Sequence, residues 1–336
     1  MTHHKQSPRA WTLTLGAFAL AAAVLVTGCR KQEDPWEAEW VGTIDLADLY
    51  GNRVATVSIG EDYQYQAYYD LSKDSLVGLY DKYVWDIALT HDDPPRLLLN
   101  SSIPGLRVAR AQGNWGSAVD AAGLVWEFDL AGRRLEDLAI GTEWNQVLVL
   151  DRGLDAAGNP RGIKQFLVTE TEEGWTLQVA EADGSGQQVF PAQRDADYNQ
   201  TSWSLGAGAV EAQPPKDTWD LQFTAYLTLF EDGGDPFPYQ VTGALLNPDG
   251  GRALRLDGTP FASVTDAATW EPQLLTNADA IGYDWKSYDF VTGYSIVPDL
   301  TFVVAARDGL RALAFTGFVN ESGEPGSCAF THRLLP

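Results

Sequence analysis

Histidine is the first residue type to consider for chemistry in this 336-residue chain, because imidazole transfers protons near neutral pH and binds transition metals. The chain has four histidines: His3, His4, His91 and His332. Only the last two lie beyond its first few residues. Gly184-Ser185-Gly186 lacks the spacing of a nucleophile elbow and has the composition of a turn. We therefore predict that the protein is not an enzyme.

Two acidic segments have residue types that bind metals. His91-Asp92-Asp93 combines nitrogen and oxygen ligands, and Asp151-Arg152-Gly153-Leu154-Asp155 with Asn159 offers oxygens to a hard cation. Pro94-Pro95 follows the first segment, which is typical of a solvated loop, and the second lacks the acid spacing of an EF-hand. We predict a metal site at neither segment.

A repeated Trp-Asp dipeptide indicates how the chain is organised. Trp85-Asp86 and Trp219-Asp220 each begin an apolar stretch, and an extended segment ending in Asn100 or Asn247 follows each copy. The copies lie roughly three times farther apart than the blade period of about 40 to 45 residues, so a β-propeller is not expected. The pattern favours one β unit used twice, or one large sheet system with two similar core strands. Both Trp side chains are expected in the core, with the neighbouring Asp on the opposite face.

Alternating apolar and polar residues predict an all-β, mostly antiparallel fold with Gly-rich and Asp-rich turns. The predicted strands beyond residue 50 and outside the Trp-Asp segments are 53–59, 63–68, 147–150, 164–169, 175–180, 226–230, 301–305 and 312–318. Only the segments 130–138, 261–270 and 277–281 are predicted to contain a helical turn or two. A possible internal boundary lies near 206–216, where Gly206-Ala207-Gly208 and Gln213-Pro214-Pro215-Lys216 occur.

The amino-terminal region has the features of a lipoprotein signal. Lys5 and Arg9 precede an apolar run from Trp11 to Val26, which is short for a membrane span. Leu25-Val26-Thr27-Gly28-Cys29 has the form of a lipobox, so we expect cleavage before Cys29 and acylation of that residue. This predicts a signal peptide at 1–28, a polar tether at 29–40 and a β domain at 41–336. The protein is expected to be anchored to a membrane without spanning it.

The formal net charge of −23 excludes one class of partner. A strongly acidic surface repels phosphate backbones, so nucleic-acid binding is not expected. The chain has two cysteines, and acylation of Cys29 would leave Cys328 without a disulfide partner. The core must then hold without a disulfide, which a chain of this length can achieve.

Several motifs resemble those of the HmuY family, the haem-binding surface lipoproteins of Bacteroidetes-type bacteria. They occur in order from about Val54 to the end, and so cover nearly all of the chain beyond the tether. The motifs are Tyr68-Tyr69-Asp70-Leu71-Ser72, Trp85-Asp86-Ile87-Ala88, Asp151 to Asp155 with Gly158-Asn159-Pro160, Ile281 to Lys286, Leu310 to Phe315, Asn320 to Gly326, and Phe330. The resemblance implies a lipid-anchored protein of the outer membrane and cell surface. It implies haem or a haemoprotein as ligand and an outer-membrane receptor as a further partner.

No iron ligand can be transferred from that family to this chain. The resemblance implies a pair of His or Met ligands, but the only Met is Met1 and no His occurs between His91 and His332. Those two histidines are therefore the imidazole candidates for haem iron, and a Tyr or Cys328 is the alternative. Propionates would need a local group of arginines, for which the candidates are Arg107, Arg110, Arg133 and Arg134.

The twelve Trp residues suggest a different ligand. An exposed row of indole rings would favour capture of a glycan or peptide by an adhesin-like module, although most Trp in β proteins are buried. The candidates outside the Trp-Asp strands are Trp36, Trp40, Trp115, Trp126, Trp144, Trp203 and Trp270.

Overall fold

The computed structural model describes residues 51–231 and 233–336. The predicted signal peptide at 1–28, the tether at 29–40 with Cys29, and Trp36 and Trp40 lie outside the described residues. Within the described ranges, no helix is both long enough and apolar enough to cross a membrane.

The described residues form twenty β-strands joined by turns and by short 3-10 segments. The strands are β1 (Arg53–Ser58), β2 (Tyr65–Asp70), β3 (Ser75–Asp81), β4 (Ile87–Thr90), β5 (Leu97–Leu99), β6 (Leu106–Arg110), β7 (Leu148–Arg152), β8 (Ile163–Glu170), β9 (Gly174–Glu181), β10 (Gln188–Gln193), β11 (Gln200–Ser204), β12 (Gly208–Val210), β13 (Leu221–Phe230), β14 (Phe237–Leu246), β15 (Ala253–Leu256), β16 (Lys286–Asp289), β17 (Gly293–Ile296), β18 (Thr301–Ala306), β19 (Gly309–Val319) and β20 (Pro325–Leu334). Their ladders are antiparallel. The predicted all-β, antiparallel fold is confirmed.

Four of the sheets form two sandwiches. In the first sandwich, the sheet β6-β7-β8-β9-β10 packs against β5-β4-β11-β12 around the core cluster that contains Phe166, Trp175 and Trp203. In the second, the sheet β15-β18-β19-β20-β1 packs against β14-β13-β2-β3 around a cluster that contains Phe223 and Phe330. The first sandwich is continuous in sequence, whereas the second combines strands from both ends of the chain. Strands β16 and β17 form a separate hairpin.

The two sandwiches have the same strand order after a cyclic shift. The first starts at β4 and ends with the hairpin β11-β12, which pairs back onto β4. In the second, the equivalent order starts at β13 and runs to β20, the last strand of the chain. It then resumes at β1, which pairs with β20, and ends with the hairpin β2-β3, which pairs back onto β13. Residues 206–216, predicted as a possible boundary, connect the last hairpin of the first sandwich to the start of the second. The described chain from Gly51 to Pro336 nevertheless forms one compact unit.

The first Trp-Asp copy organises the start of β4 through hydrogen bonds. The Asp86 amide donates to the Trp203 carbonyl at 2.8 Å, and the Asn100 amide donates to the Asp86 carbonyl at 3.0 Å. The Asn100 side-chain nitrogen donates to the carbonyls of Lys82 and Trp85 at 2.7 and 2.9 Å. One Asn thus ties together a 3-10 turn, the Trp-Asp dipeptide and the end of the neighbouring strand.

The second copy repeats this pattern at the start of β13. The Asp220 amide donates to the Tyr69 carbonyl at 2.9 Å, and the Asn247 amide donates to the Asp220 carbonyl at 3.0 Å. The Asn247 side-chain nitrogen donates to the carbonyls of Lys216 and Trp219 at 2.6 and 2.7 Å. The repeated Trp-Asp and Asn residues therefore have the same structural role in both sandwiches.

The two carboxylates are buried, as are the two indoles. Asp86 Oδ2 accepts a hydrogen bond from the Leu205 amide at 2.8 Å, and Asp220 Oδ2 accepts one from the Leu71 amide at 2.7 Å. Side chains on both faces of the sheet are therefore buried where each strand begins. For that reason the sequence there does not alternate between apolar and polar residues as a half-buried strand does. The Trp residues lie in the interior, as predicted.

Of the three segments predicted to contain a helical turn or two, two contain a single 3-10 turn and the third contains none. The segment 130–138 contains only the 3-10 turn Leu135–Asp137, and 261–270 contains only the 3-10 turn Phe261–Ser263. No helix occurs at 277–281. In the first segment, Arg133 has a φ of 57°, a left-handed conformation that interrupts a right-handed helix. Apolar spacing over so few residues does not distinguish a helix from a buried turn.

Candidate ligand-binding cleft

A cleft of about 320 Å³ lies between the two sandwiches. The first sandwich contributes the end of β4, the start of β5, the loop at 132–134 and the segment before β11. The second sandwich contributes the turn after Asn247 and the segment at 276–278, and Lys216 lines the cleft from the connection between them. A concave site of this size at the junction of two packed units is a common location for a small ligand.

His91 is the predicted site residue that lines this cleft. Its ring stacks on Trp175 at a centroid distance of 5.5 Å, and its Nε2 makes a 3.0 Å hydrogen bond with the Thr201 hydroxyl. Burial is the main cause that lowers the pKa of His91 below its ordinary value. The imidazole is therefore neutral near pH 7, the form that can bind a metal ion.

His332 lies elsewhere, in the second sandwich. Its ring is fully buried beside Tyr69 and Phe330. Its Nδ1 is 3.1 Å from Arg311 Nη1, and its Nε2 is 2.9 Å from Asp74 Oδ1. Burial is the largest cause that lowers the pKa of His332. Both ring nitrogens thus have protein partners, and the structure does not bring His332 together with His91.

Four basic side chains line the cleft, and two of them are neutralised locally. Arg96 Nε donates to Asp92 Oδ2 at 3.0 Å. Arg134 Nε donates to Asp137 Oδ2 at 2.9 Å. These pairs leave little net charge on the two arginines for a ligand.

The other two basic side chains lack bonded partners in the described ranges. Among the described residues, neither the Arg133 guanidinium nor the Lys216 ammonium has an ion-pair or hydrogen-bond partner, and both residues are half-buried. Burial lowers the pKa of Arg133, the direction expected for a cation whose environment compensates its charge poorly. Asp249, at the rim, is exposed. Half-buried cations without partners are suited to bind carboxylates or phosphates through charge-assisted hydrogen bonds.

Only part of the predicted arginine group lies at the cleft. Arg133 and Arg134 line it, whereas Arg107 and Arg110 do not. Arg107 pairs with Asp151 at 3.0 Å and lies over the ring of Trp126. Arg110 is held between Glu127 and Glu143, at 2.8 and 3.0 Å.

Lys216 also lines the cleft, although it is not among the site residues predicted from the sequence. A signal for it exists in the sequence, because Lys82 and Lys216 each stand three residues before a Trp-Asp dipeptide. The two lysines differ in environment. Lys82 is buried, with its Nζ 5.3 Å from the centre of the Tyr83 ring, whereas Lys216 opens into the cleft. The repeat identifies the position, but only the packing of the two sandwiches distinguishes these roles.

The remaining candidates for metal ligation have structural roles. Asp155 Oδ1 accepts hydrogen bonds from the amides of Ala157 and Asn159 at 2.9 and 2.8 Å, so it closes its own turn. Cys328 is fully buried, and burial raises the pKa of its thiol to about 12. In the described part of the chain, no group of three His, Cys, Asp or Glu side chains is placed to hold a metal ion.

An exposed row of Trp does not occur among the described residues. Six of their Trp side chains are buried, and Trp115, Trp126 and Trp270 are half-buried. The exposed aromatic side chains are instead Phe and Tyr at the tips of two hairpins, β13-β14 and β16-β17. They are Phe230, Phe237, Tyr239, Tyr288 and Phe290.

Comparison with known proteins gives structural neighbours only. No family model matches the sequence, and no curated protein matches it. Apo PinO from Porphyromonas gingivitis matches at 8% identity and a TM-score of 0.29, covering 85% of this chain and 97% of its own. The apo HmuY analogue of Tannerella forsythia matches at 11% identity and a TM-score of 0.25, covering 85% of this chain and 96% of its own.

A third match is a Bacteroides vulgatus protein described as HmuY-like and heme-binding. It has 8% identity and a TM-score of 0.23, and the match covers 86% of this chain and 94% of that protein. The solved structures to which this chain is similar thus include HmuY-like proteins, the family that its sequence motifs resemble.

Proposed function

We propose that this protein is a lipid-anchored binding protein of the outer-membrane surface, without enzymatic activity, that captures an acidic small molecule. The observation that supports this is the pair of free, half-buried cations, Arg133 and Lys216, in a cleft of a protein with a net charge of −23. Unpaired cations are unexpected where acids are so abundant. Their placement favours a ligand that supplies the missing negative charge.

Haem is the first ligand to test in this cleft. Its two propionates match two basic side chains, and His91 is the imidazole that lines the same wall. Tyr198 also lines the cleft, but burial raises its pKa, which disfavours the phenolate form. The high thiol pKa of Cys328 likewise disfavours a thiolate ligand. An outer-membrane receptor that takes over the ligand belongs to the same proposal.

A haemin titration followed by the Soret band tests this proposal. We expect a saturable shift with the wild type, and a changed Soret position with weaker binding for His91→Ala, because His91 lines the cleft. His332→Ala should mainly lower stability, because it removes a buried ring bonded to Arg311 and Asp74. A thermal melt of each variant separates loss of folding from loss of a ligand.

The outcomes of the titration distinguish between the possible iron ligands. A changed spectrum with both variants would indicate a pair of His ligands after rearrangement. Tight binding that neither substitution alters would assign the iron to Tyr or Cys328. The absence of a saturable shift in the wild type would show that the protein does not bind haem and would overturn haem as the ligand.

The lipid anchor requires a separate test, because Cys29 lies outside the described residues. Growth with a palmitate analogue should label the wild type and leave Cys29→Ser unlabelled, since the thiol is the proposed acylation site. Cys328→Ser is the matched control, and it should label like the wild type. Equal labelling of Cys29→Ser and the wild type would contradict the anchor.

A further inference from the structure

The two cleft cations that have no bonded partner within residues 51–231 and 233–336 come from different elements. Arg133 belongs to the loop between β6 and β7 of the first sandwich, and Lys216 belongs to the 3-10 turn that leads into the second. A ligand that contacts both must therefore bridge the junction of the two sandwiches.

The backbone at Arg133 is held by its neighbours. Arg96 Nη1 donates to the Arg133 carbonyl at 2.7 Å, and Arg96 is itself paired with Asp92. Arg133 has a left-handed φ of 57°, a conformation that non-glycine residues adopt rarely. Arg133 lines both the cleft and a smaller cavity that Asp129 and Tyr226 also line. The backbone of Arg133 is thus held at the wall of the cleft, while its guanidinium has no ion-pair or hydrogen-bond partner among the described residues.

The backbone at Lys216 is held equally well. Its amide donates to the Asp197 carbonyl at 2.8 Å, and its carbonyl accepts from the Asn247 side chain at 2.6 Å. The second bond belongs to the Trp-Asp and Asn pattern of the second sandwich. These bonds therefore fix the backbone of Lys216, and its ammonium has no bonded partner in the part of the chain that the structure describes.

From this geometry we infer that the cleft is a two-point anion site, in which Arg133 and Lys216 each bind one acid group of a small di-acid and no metal ion is required. This deepens the proposed function, because it names the part of an acidic ligand that is recognised. Neither cation has an ion-pair or hydrogen-bond partner among the described residues, so an incoming carboxylate can form charge-assisted hydrogen bonds with each. A di-acid binds more tightly than a mono-acid because its second acid group forms a contact within the same complex.

Calorimetric titration of the full chain in mild detergent tests the inference. The probes are metal-free protoporphyrin IX, its dimethyl ester, and succinate. We expect the two free di-acids to bind saturably, and the ester to bind at least about tenfold more weakly than protoporphyrin, because esterification removes both charges. Arg133→Gln and Lys216→Gln should each weaken di-acid binding by about tenfold, and the double substitution should weaken it further.

Two other arginines serve as comparisons. Arg134→Gln should weaken binding by less than Arg133→Gln, because Asp137 already offsets that charge. Arg107 lies outside the cleft, so the Arg107→Gln variant should bind the di-acids like the wild type. The inference is overturned if the ester binds as tightly as the di-acid, or if the double variant binds like the wild type.

The same probes separate this inference from haem capture. Binding of metal-free di-acids without binding of haemin would retain the anion site and reject haem as the ligand. Binding of haemin without binding of any metal-free di-acid would retain haem capture and reject the anion site.

Discussion

Replacing Trp219 or Trp85 by alanine is expected to lower the free energy of unfolding by about 3 to 5 kcal/mol at either position. Only 2% of Trp219 and 5% of Trp85 are exposed, so each substitution removes a large apolar side chain from the interior. Trp219 also packs edge-on against Tyr68, with ring centroids 4.8 Å apart. Denaturant unfolding of the purified variants measures the loss.

The two positions should differ when Phe replaces Trp. Trp85 Nε1 donates to Gln66 Oε1 at 2.9 Å, so Trp85→Phe leaves that buried oxygen without a partner. Trp219 Nε1 has no hydrogen-bond partner among the described residues, so Trp219→Phe removes volume alone. Trp126→Ala, at a half-buried position, is the control and should cost less. Losses below about 1 kcal/mol at both core positions would show that the indoles are not structural anchors.

Replacing Asp86 by alanine should cost about 3 to 5 kcal/mol, because it removes the acid of a buried ion-pair network. Asp86 lies 3.0 Å from Arg152 Nη2 and 2.9 Å from Arg161 Nη2, and its side chain is inaccessible to solvent. The substitution leaves two largely buried guanidinium groups without that anion. It also removes the acceptor of the Leu205 amide.

The equivalent residue in the second sandwich is the matched control. Asp220 accepts a hydrogen bond from Leu71 but forms no direct ion pair among the described residues, so Asp220→Ala should cost about 1 to 3 kcal/mol. Both variants can be compared by denaturant unfolding under identical conditions. Equal losses would mean that the arginines at Asp86 contribute nothing beyond the shared backbone contact.

Local patterns in the sequence predict the strand content and the repeated unit. Arg53–Ser58 alternates exposed and more buried positions, and it is found as β1. The Trp-Asp and Asn residues recur because both sandwiches need the same hydrogen bonds at the start of a central strand. By contrast, Ser327 to Phe330 are buried without interruption, so β20 shows no alternation there from which its bounds could be predicted.

The cleft could not be predicted from local patterns, because its parts are distant in sequence. Arg133 and Lys216 come to line one cleft only after the chain has left the first sandwich and entered the second. His332 is a ligand candidate by residue type, yet its partners in the structure are Arg311 and Asp74. They lie next to His332 because β20 pairs with β19 and because the ring is buried. Nothing near His332 in sequence identifies those partners.

The cyclic shift between the sandwiches has a consequence for biosynthesis. The first sandwich is complete once its own continuous segment has emerged, so it can close early. The second cannot, because β1 pairs with β20, and Arg53 lies opposite His332 in that ladder. A chain that emerges amino terminus first therefore keeps the edge of β1 open until the carboxy-terminal residues arrive.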